Sequence, residues 1–397
     1  MMNLLRLIHL DKEEKVKRGL SHTPSEIAQQ PHTWATTFMN FQQRRSEIEA
    51  FLHSKGIGPV AADSNQRPIV FLIGAGTSDY IGQSLVALLR QKWQCEVSAV
   101  PSTDLLTNFE DYILRDRNYL WISFSRSGES PEGVTVLDKA LKEYSNISHL
   151  VVSCNASGKM IMDHRNEPRV FGLLLDDAVN DRGLAMTSSF SNMVVCGQCL
   201  ANTWTLEEYE PILQSLVATG EKFLEVADVC AASLAEGPYT RVCFVGSGAM
   251  KAVATESALK VSELTAGRIQ SMSESTLGLR HGPLAALNAE TLFVCYVSGD
   301  RRRQHYEADL LREIEKKGVV QTRVAVAIEA TSEIRKECEY LLTSGLQASI
   351  PDAYRPPLDV IFGQLLGLFF SIRFNLKPDA PSPSGVITRV VQNVSIH

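Results

Sequence analysis

The sequence predicts an α/β fold of two tandem doubly wound parallel sheets, preceded by a helical segment. Short apolar runs without polar alternation, such as residues 69–73, alternate with segments of helical periodicity, as expected for strands buried on both faces. The plan occurs twice, because an apolar run leads into a Gly-x-Gly turn at Gly74 and again at Gly246. A length of 397 residues suits two domains of roughly 150–200 residues each.

Residues 1–55 are expected to form helices. Thr23-Pro24-Ser25-Glu26 has the form of a capping box with proline at the first helical position. Gly56-Ile57-Gly58-Pro59 ends this segment, and a polar loop then runs to Pro68. The apolar residues that recur at the spacing of one helix face are Trp34, Phe38, Phe41, Ile48 and Leu52.

The two predicted domains cover residues 56–215 and 216–397, joined near residues 209–220. The predicted strands are residues 69–73, 95–100, 119–124, 149–153 and 170–174, then 241–245, 291–297 and 323–328. The predicted helices run toward Trp93, over 131–144, through Lys260, over 306–316 and over 358–374. The tail from Pro378 is rich in proline and serine, and it is either a linker end or a segment that folds back over a site.

Composition favours a globular protein without nucleic-acid or membrane partners. Hydrophobic residues make up 44% of the chain and the net charge is −6, whereas polyphosphate binding requires clustered lysine and arginine. The dense basic run at 301–303 is interpreted as the solvated start of a helix. The sequence shows neither a signal-peptide layout nor a run of about 18 apolar residues.

The eight cysteines are scattered through apolar segments, which favours a reduced, cytoplasmic protein. Cys196 and Cys199 form a C-x-x-C, but no second pair at ligand spacing accompanies them. Their neighbours predict a buried helix, so neither a metal nor a redox role is expected there.

Residues 125–130, called the hydroxyl loop below, are the strongest functional signal. Ser125, Ser127 and Ser130 surround Gly128 between an apolar run and a helical segment. A helix start offers unpaired N–H groups and the positive end of its dipole, and the hydroxyls add donors. The loop has no lysine, so it suits a single phosphate monoester rather than a Walker-type nucleotide site. The alternative is a helix N-cap with spare serines.

The two Gly-x-Gly turns do not predict a dinucleotide site. That fingerprint needs a third glycine, and the corresponding positions hold Asp79 and Lys251. No organic cofactor is therefore expected.

Three motifs together resemble the sugar isomerase (SIS) family: residues 71–78, the hydroxyl loop, and Leu279-Arg280-His281-Gly282-Pro283-Leu284. The resemblance runs from about residue 50 to the C-terminus, with the motifs in the family's order. Within the family, the chain is most similar to the tagatose-6-phosphate ketose/aldose isomerases, also described as galactosamine-6-phosphate deaminases. The resemblance implies two flavodoxin-like SIS domains.

The resemblance also implies a substrate site. The residues implied for the phosphate are Gly76, Thr77, Ser78, Ser125, Arg126, Ser127 and Ser130. Asp181 and residues 183–188, which end at Ser188, are implied to line the sugar. The alternative for that segment is a βα loop with a serine-rich helix start.

Aldose–ketose conversion needs a base that moves a proton between C1 and C2. The candidates are Glu263, Glu274 and His281, with His305 as a further imidazole supplied across a dimer interface. In the synthase branch of the family a glutamate stands three residues before the His-Gly-Pro, where this chain has Gly278. Glu274 is the nearest carboxylate, either as its replacement or as a surface group, and His281 either moves a proton or holds a turn.

A second departure lies in the tail, where the synthase branch has a lysine that reaches the sugar carbonyl. The nearest counterpart is Arg389, which stays protonated and does not readily form a Schiff base. This favours a reaction in which an amino sugar supplies its own nitrogen.

The leading hypothesis is a sugar-phosphate isomerase/deaminase that converts galactosamine 6-phosphate to tagatose 6-phosphate and ammonia. A tagatose-6-phosphate ketose/aldose isomerase without deamination is the first alternative. A sugar-phosphate-binding regulator is the second, although residues 1–55 show no basic helix-turn-helix. Apolar helix faces near the N-terminus and in residues 358–374 predict a homo-oligomer, either a dimer or a tetramer.

Overall fold

The computed structural model describes residues 3–59, 67–391 and 394–396. It contains two parallel five-stranded sheets together with helices, so the predicted α/β class is confirmed. Most of the loop predicted between Pro59 and Pro68 lies outside the described residues.

The first sheet has the strand order β2-β1-β3-β4-β5, and all neighbouring pairs are parallel. Its strands are β1 (Ile69–Gly74), β2 (Val97–Pro101), β3 (Tyr119–Ser125), β4 (Ile147–Ser153) and β5 (Val170–Leu174). Strands β1 and β3 are buried along their whole length, which explains why they are continuous apolar runs in the sequence. All five were predicted, with ends that differ by one or two residues at most.

The second sheet has the order β10-β9-β8-β6-β7, again with parallel neighbours. Its strands are β6 (Arg241–Gly246), β7 (Gln270–Ser275), β8 (Thr291–Tyr296), β9 (Thr322–Ala327) and β10 (Tyr340–Thr343). The sequence predicted β6, β8 and β9 but missed β7 and β10. Both missed strands lie at sheet edges and are only partly buried. Strand β7 carries polar residues instead of an apolar run, and β10 has only four residues, too few for a clear pattern.

Helices fill the remaining segments. Before the first sheet lie α1 (Leu4–Ile8), α2 (Lys12–Arg18), α3 (Thr23–Ala28), α4 (Gln30–Gln43) and α5 (Arg45–Ser54). Next come α6 (Thr77–Trp93), α7 (Ser102–Thr107), α8 (Phe109–Tyr112), α9 (Pro131–Glu143), α10 (Lys159–Met162), α11 (Ser188–Ala201) and α12 (Leu206–Ala235). The second half adds α13 (Ala249–Leu264), α14 (Arg301–Lys317), α15 (Ser332–Lys336) and α16 (Pro356–Arg373).

The chain forms two compact units. The first-sheet unit comprises Thr33–Asp181, Ser188–Pro211 and Ile387–His397. The second-sheet unit comprises Met1–His32, Arg182–Thr187 and Ile212–Val386. The junction that the sequence places near residues 209–220 lies inside the continuous helix α12. The tail from Ile387 belongs to the first-sheet unit.

The two sheets share one topology, in which the chain reverses direction across the sheet beside the strand that leads into the Gly-x-Gly turn. The chain passes from β1 to β2 on one side and then to β3 on the other side of β1. In the second sheet, β7 and β8 flank β6 in the same way. Ligands of such sheets bind outside the carboxyl ends of the strands at this reversal point.

The Gly-x-Gly turns have the same backbone shape in both halves. Gly76 has φ 56° and ψ −125°, and Gly248 has φ 59° and ψ −127°, a region that side chains with a β-carbon rarely adopt. A β-carbon on Gly74 would lie 2.3 Å from the Ser78 backbone, and one on Gly246 would lie 2.4 Å from the Met250 backbone. The glycines therefore serve a tight strand-to-helix turn.

The capping box predicted at the start of α3 is wrong. His22 is the N-cap residue and makes no capping hydrogen bond with its side chain. Glu26 instead accepts from the backbone N–H groups of Arg182 (2.5 Å) and Gly183 (3.2 Å). The carboxylate thus binds backbone N–H groups of a segment more than 150 residues away in the sequence, a contact that local spacing cannot reveal.

The apolar faces that suggested an oligomer are buried within the chain. Trp34, Phe38 and Phe41 on α4 are at most 5% exposed, and α16 is buried from Pro356 to Ser371. These faces therefore give no support to a dimer or tetramer, which stays a prediction. Among the helices that the structure describes, none is both long and apolar enough to cross a membrane.

Candidate functional site

Two loops meet the requirement for a ligand site at the reversal point of the first sheet. Residues 74–78 follow β1 and the hydroxyl loop follows β3, and these two strands are neighbours. Gly76 is exposed, and no atom lies within 4 Å of where its β-carbon would be. Thr77 and Ser78 open helix α6 and are 4% and 7% exposed.

The hydroxyl loop is a tight turn whose own serines hold its backbone. Ser125 Oγ accepts from the Gly128 N–H at 3.0 Å, and Ser127 Oγ accepts from the Glu129 N–H at 3.2 Å. Ser130 occupies the N-cap position of α9, but its side chain makes no capping hydrogen bond. The interpretation of these residues as a plain helix cap therefore does not describe Ser130.

The hydroxyl loop packs against the segment that connects β4 to α10. Gly128 has φ 63°, and a β-carbon there would lie 3.0 Å from Gly158 Cα. The Asn155 amide donates to the Ser127 carbonyl at 2.8 Å, and the Met160 N–H donates to the Gly128 carbonyl at 3.0 Å. A rigid turn at the positive end of α9 needs little reordering to bind an anion.

The tail lies against the hydroxyl loop within the same unit. The buried Arg126 guanidinium donates to the Arg389 carbonyl at 2.6 Å. The Arg389 guanidinium donates to the Asp181 carbonyl at 2.7 Å and to Asn180 Oδ1 at 2.6 Å. Of the two alternatives for the tail, the structure favours the one in which it folds back over a site.

Asp181 and Ser188 meet at the start of α11. The Asp181 carboxylate is fully buried and accepts from the N–H groups of Ser188 (3.0 Å) and Ser189 (2.9 Å). These contacts cap the helix, as anions do at helix starts. Contact of Asp181 or Ser188 with the sugar stays a prediction.

Glu274 lies at the carboxyl end of β7, directly against Gly278. A β-carbon on Gly278 would lie 2.8 Å from Glu274 Oε1, so this carboxylate fills the space of a side chain at position 278. The Ser275 N–H, at 2.6 Å, lowers the pKa of Glu274, and Lys251 Nζ at 3.7 Å lowers it further, although partial burial raises it. Glu274 is therefore a well-held but weak base.

Glu263 belongs to a cluster of charges on α13 that the sequence did not reveal. Lys260 Nζ lies 2.6 Å from Glu263 Oε2 and 3.3 Å from Glu256 Oε1. Lys260 and Glu256 are fully buried, while the Glu263 side chain is 24% exposed. Burial lowers the pKa of Lys260, but the two carboxylates together raise it above its usual value. Carboxylates three residues after and four residues before a lysine in an apolar helix were the available signal.

Glu263 and Glu274 lie toward opposite ends of the strands of the second sheet. Glu274 is beside the carboxyl end of β6, since Val245 pairs with it. Helix α13 starts beside the carboxyl ends of the strands and runs back toward their amino ends, where β7 begins. Glu263 is in the last turn of α13 and therefore lies near the amino ends. The two residues are not a carboxylate pair.

The two candidate histidines are exposed. His281 ends a short turn over Gly278–Arg280, and its N–H donates to the Gly278 carbonyl at 2.9 Å. His305 lies on α14 with its Nδ1 3.2 Å from Glu333 Oε2. Neither contact assigns a proton-transfer role.

Comparison with known proteins identifies the family. A Streptomyces coelicolor protein, a candidate D-galactosamine-6-phosphate deaminase AgaS, is 37% identical over 95% of this chain and 95% of its own length. An Escherichia coli protein named D-galactosamine-6-phosphate deaminase AgaS is 34% identical, covering 94% of this chain and 95% of its own. The chain belongs to the AgaS family. No protein-family model matches it.

Solved structures agree with the AgaS assignment. The crystal structure of a candidate tagatose-6-phosphate ketose/aldose isomerase from Clostridium novyi has a TM-score of 0.92 and 30% identity. The match covers 100% of this chain and 99% of the other. The chain is thus an enzyme of the sugar-phosphate deaminase and isomerase class, with the predicted two-domain SIS fold. Within the described residues, no cluster of three or more His, Cys, Asp or Glu could hold a metal ion.

Replacing Lys260 with methionine should strongly destabilise the enzyme, because Glu256 is left as a buried, uncompensated charge. We expect the free energy of unfolding in urea to fall by about 3–5 kcal/mol. The double variant with Glu256→Gln should recover part of that loss, since it removes the stranded charge.

Lys317→Met is the matched control, because Lys317 forms a half-exposed ion pair with Glu313 at 3.7 Å. Its loss should cost less than about 1 kcal/mol. Equal losses for the two lysine variants would contradict the account of a tightly coupled buried cluster.

Proposed function

We propose that this enzyme converts D-galactosamine 6-phosphate and water to tagatose 6-phosphate and ammonia. The observation that carries the proposal is the hydroxyl loop at the reversal point of the first sheet. The choice of galactosamine 6-phosphate and tagatose 6-phosphate, rather than other sugar phosphates, is supported by the names of the AgaS relatives and of the structural neighbour.

The hydroxyl loop suits a phosphate monoester because three serine hydroxyls lie close together at the start of a helix. Ser130 makes no capping bond, Pro131 opens α9, and Ser125 and Ser127 shape the turn. Helix α9 adds the positive end of its dipole, and Arg126 is the nearest cation along the chain. Hydrogen bonds to a charged oxyanion are about twice as strong as those between neutral groups.

The reaction follows from the nitrogen that the substrate carries. Ring opening gives a 2-amino aldose, and removal of the C2 proton gives an enolamine. Reprotonation at C1 gives an imine at C2, which water hydrolyses to the C2 ketone with release of ammonia. The enzyme then needs only acid–base groups. Arg389 is consistent with this route, because its guanidinium is protonated and hydrogen-bonded and so does not form an imine.

We infer that Glu263 is the base for the C2 proton, ahead of Glu274. Its side chain is partly exposed and pairs with the buried Lys260, whose pKa is perturbed by burial and by its charged partners, an arrangement that is frequent at functional sites. Glu274 has a lowered pKa, which weakens it as a base. The hydroxyl loop belongs to the first-sheet unit and Glu263 to the second-sheet unit, so each assignment needs its own test.

A second candidate activity is ketose/aldose isomerisation of tagatose 6-phosphate without deamination, which the name of the Clostridium novyi structure favours. It would use the same proton transfer between C1 and C2. We also propose a cytoplasmic location, supported by the eight cysteines, all of which are free thiols.

Purified enzyme should release ammonia from galactosamine 6-phosphate in equal amounts with tagatose 6-phosphate. Glucosamine 6-phosphate should react more slowly because its C4 hydroxyl has the opposite configuration. Conversion of tagatose 6-phosphate to its aldose, without ammonia from either amino sugar, would replace the deaminase proposal with the isomerase.

The variant Ser127→Ala with Ser130→Ala tests the phosphate site in the same assay. We expect KM for galactosamine 6-phosphate to rise roughly 10²- to 10⁴-fold, since two hydrogen bonds to a charged group are lost. Ser54→Ala is the control, because that exposed serine only donates to the Phe51 carbonyl. A KM unchanged by the double substitution would move the phosphate elsewhere.

Glu263→Gln and Glu274→Gln separate the two candidate bases. In deuterated water the wild type should place deuterium at C1 of the product. We expect Glu263→Gln to lose this incorporation and to lower kcat by roughly 10²- to 10⁴-fold with little change in KM. Glu274→Gln should retain both. The reverse pattern would assign the proton transfer to Glu274.

A further inference from the structure

The second sheet has a turn at the position that the hydroxyl loop occupies in the first. Residues 298–300, called the carboxylate turn below, follow β8 and lead into α14, just as the hydroxyl loop follows β3 and leads into α9. Both strands lie beside the strand with the Gly-x-Gly turn, at the reversal point of their sheets. Neither the resemblance nor the relatives' names assign a role to this turn.

An anion already sits in the carboxylate turn, and it is the side chain of Asp352. Ser298 Oγ donates to Asp352 Oδ2 at 2.5 Å, and the Gly299 N–H donates to Oδ1 at 2.8 Å. Arg355 Nη1 donates to Oδ1 at 2.7 Å, and Arg303 Nη1 donates to Oδ2 at 3.2 Å. Each carboxylate oxygen thus accepts one donor from the turn and one from an arginine.

The turn's two other backbone N–H groups also have partners within the chain. The Asp300 N–H donates to Ser298 Oγ at 3.0 Å. The Ser298 N–H donates to Glu307 Oε2 at 3.0 Å. In the hydroxyl loop, by contrast, the Gly128 and Glu129 N–H groups donate to serine hydroxyls, which are neutral. The carboxylate turn therefore donates to a carboxylate of the chain, Asp352, whereas these contacts of the hydroxyl loop involve only serine hydroxyls.

The surroundings of Asp352 match those of a bound oxyanion. Burial raises the pKa of Asp352, but Arg355, Ser298 and Gly299 together bring it below its usual value, so the group is ionised. Arg355 is fully buried and has a second partner in Asp359 at 2.8 Å. Arg303 is half exposed, which leaves one side of the turn open to solvent.

We propose that the carboxylate turn, with Arg303 and Arg355, is a second oxyanion site that Asp352 fills from within the chain. Asp352 occupies all four of the donors that the turn and the two arginines direct toward it. Removal of the Asp352 carboxylate opens the second site to sulfate or phosphate. This inference does not depend on the proposed function, because it concerns the second-sheet unit alone.

The test is the melting temperature of Asp352→Ala in sulfate against chloride at equal ionic strength. The background is Ser127→Ala with Ser130→Ala, which removes donors from the hydroxyl loop. A ligand that binds only the folded state raises the melting temperature with its concentration. We expect sulfate to raise it by at least about 2 °C more in Asp352→Ala than in the same background with Asp352 intact.

Two variants control for loss of charge and for shape. Asp300→Ala removes a carboxylate of the same turn that caps α14 and makes no contact with Asp352, so it should show no added response to sulfate. Asp352→Asn removes the charge but keeps the turn filled by a side chain. We expect it to show no added response to sulfate, because the site stays occupied. An added response in Asp352→Ala that neither control shows supports the inference.

Equal sulfate responses in all variants would overturn the inference, as would an equal response in Asp300→Ala or Asp352→Asn. If Asp352→Ala does not fold in chloride, Asp352→Ser leaves similar space and is judged by the same comparison. Failure of this test leaves the ammonia assay unaffected, and failure of the ammonia assay leaves this test unaffected.

Discussion

The close contact between the end of a central strand and the first turn of the following helix determines the loop geometry at the reversal point of each sheet. At Gly74 and Gly246 a β-carbon would collide with that helical turn. The contact places a helix start immediately beyond the strand, and the backbone of Gly76 and Gly248 closes the turn. Because parallel strands all end at one edge, the loops after their neighbours β3 and β8 lie beside it.

The equivalent turns of the two sheets differ in the groups that their donors meet. The hydroxyl loop presents neutral donors at the positive end of a helix, so it suits an anion from outside the chain. The carboxylate turn receives Asp352 and Glu307, so its donors are satisfied internally. Duplication of the fold thus need not duplicate the ligand site, because one buried carboxylate is enough to fill the second copy. The AgaS relatives share this length of chain, so the comparison can be extended to them residue by residue.

Sequence reasoning succeeded where a single segment carries the signal. The buried strands and the Gly-x-Gly turns are visible as local patterns. The serines of the hydroxyl loop are visible in the same way, and their contact with a phosphate stays a prediction. Edge strand β7 was missed because its polar residues do not form an apolar run. The contacts of Glu26 and Asp352 depend on which residues the fold brings together, and polar spacing alone does not encode that. The charged cluster on α13 had a signal, since its members share one helix face.

The most direct measurement is the position of the phosphorus atom in a crystal of the wild-type enzyme soaked with tagatose 6-phosphate. The account predicts phosphate density at Ser125, Ser127 and Ser130, with Asp352 still seated against Ser298 and Gly299. Phosphate bound against the carboxylate turn, or at a surface away from both turns, would contradict it.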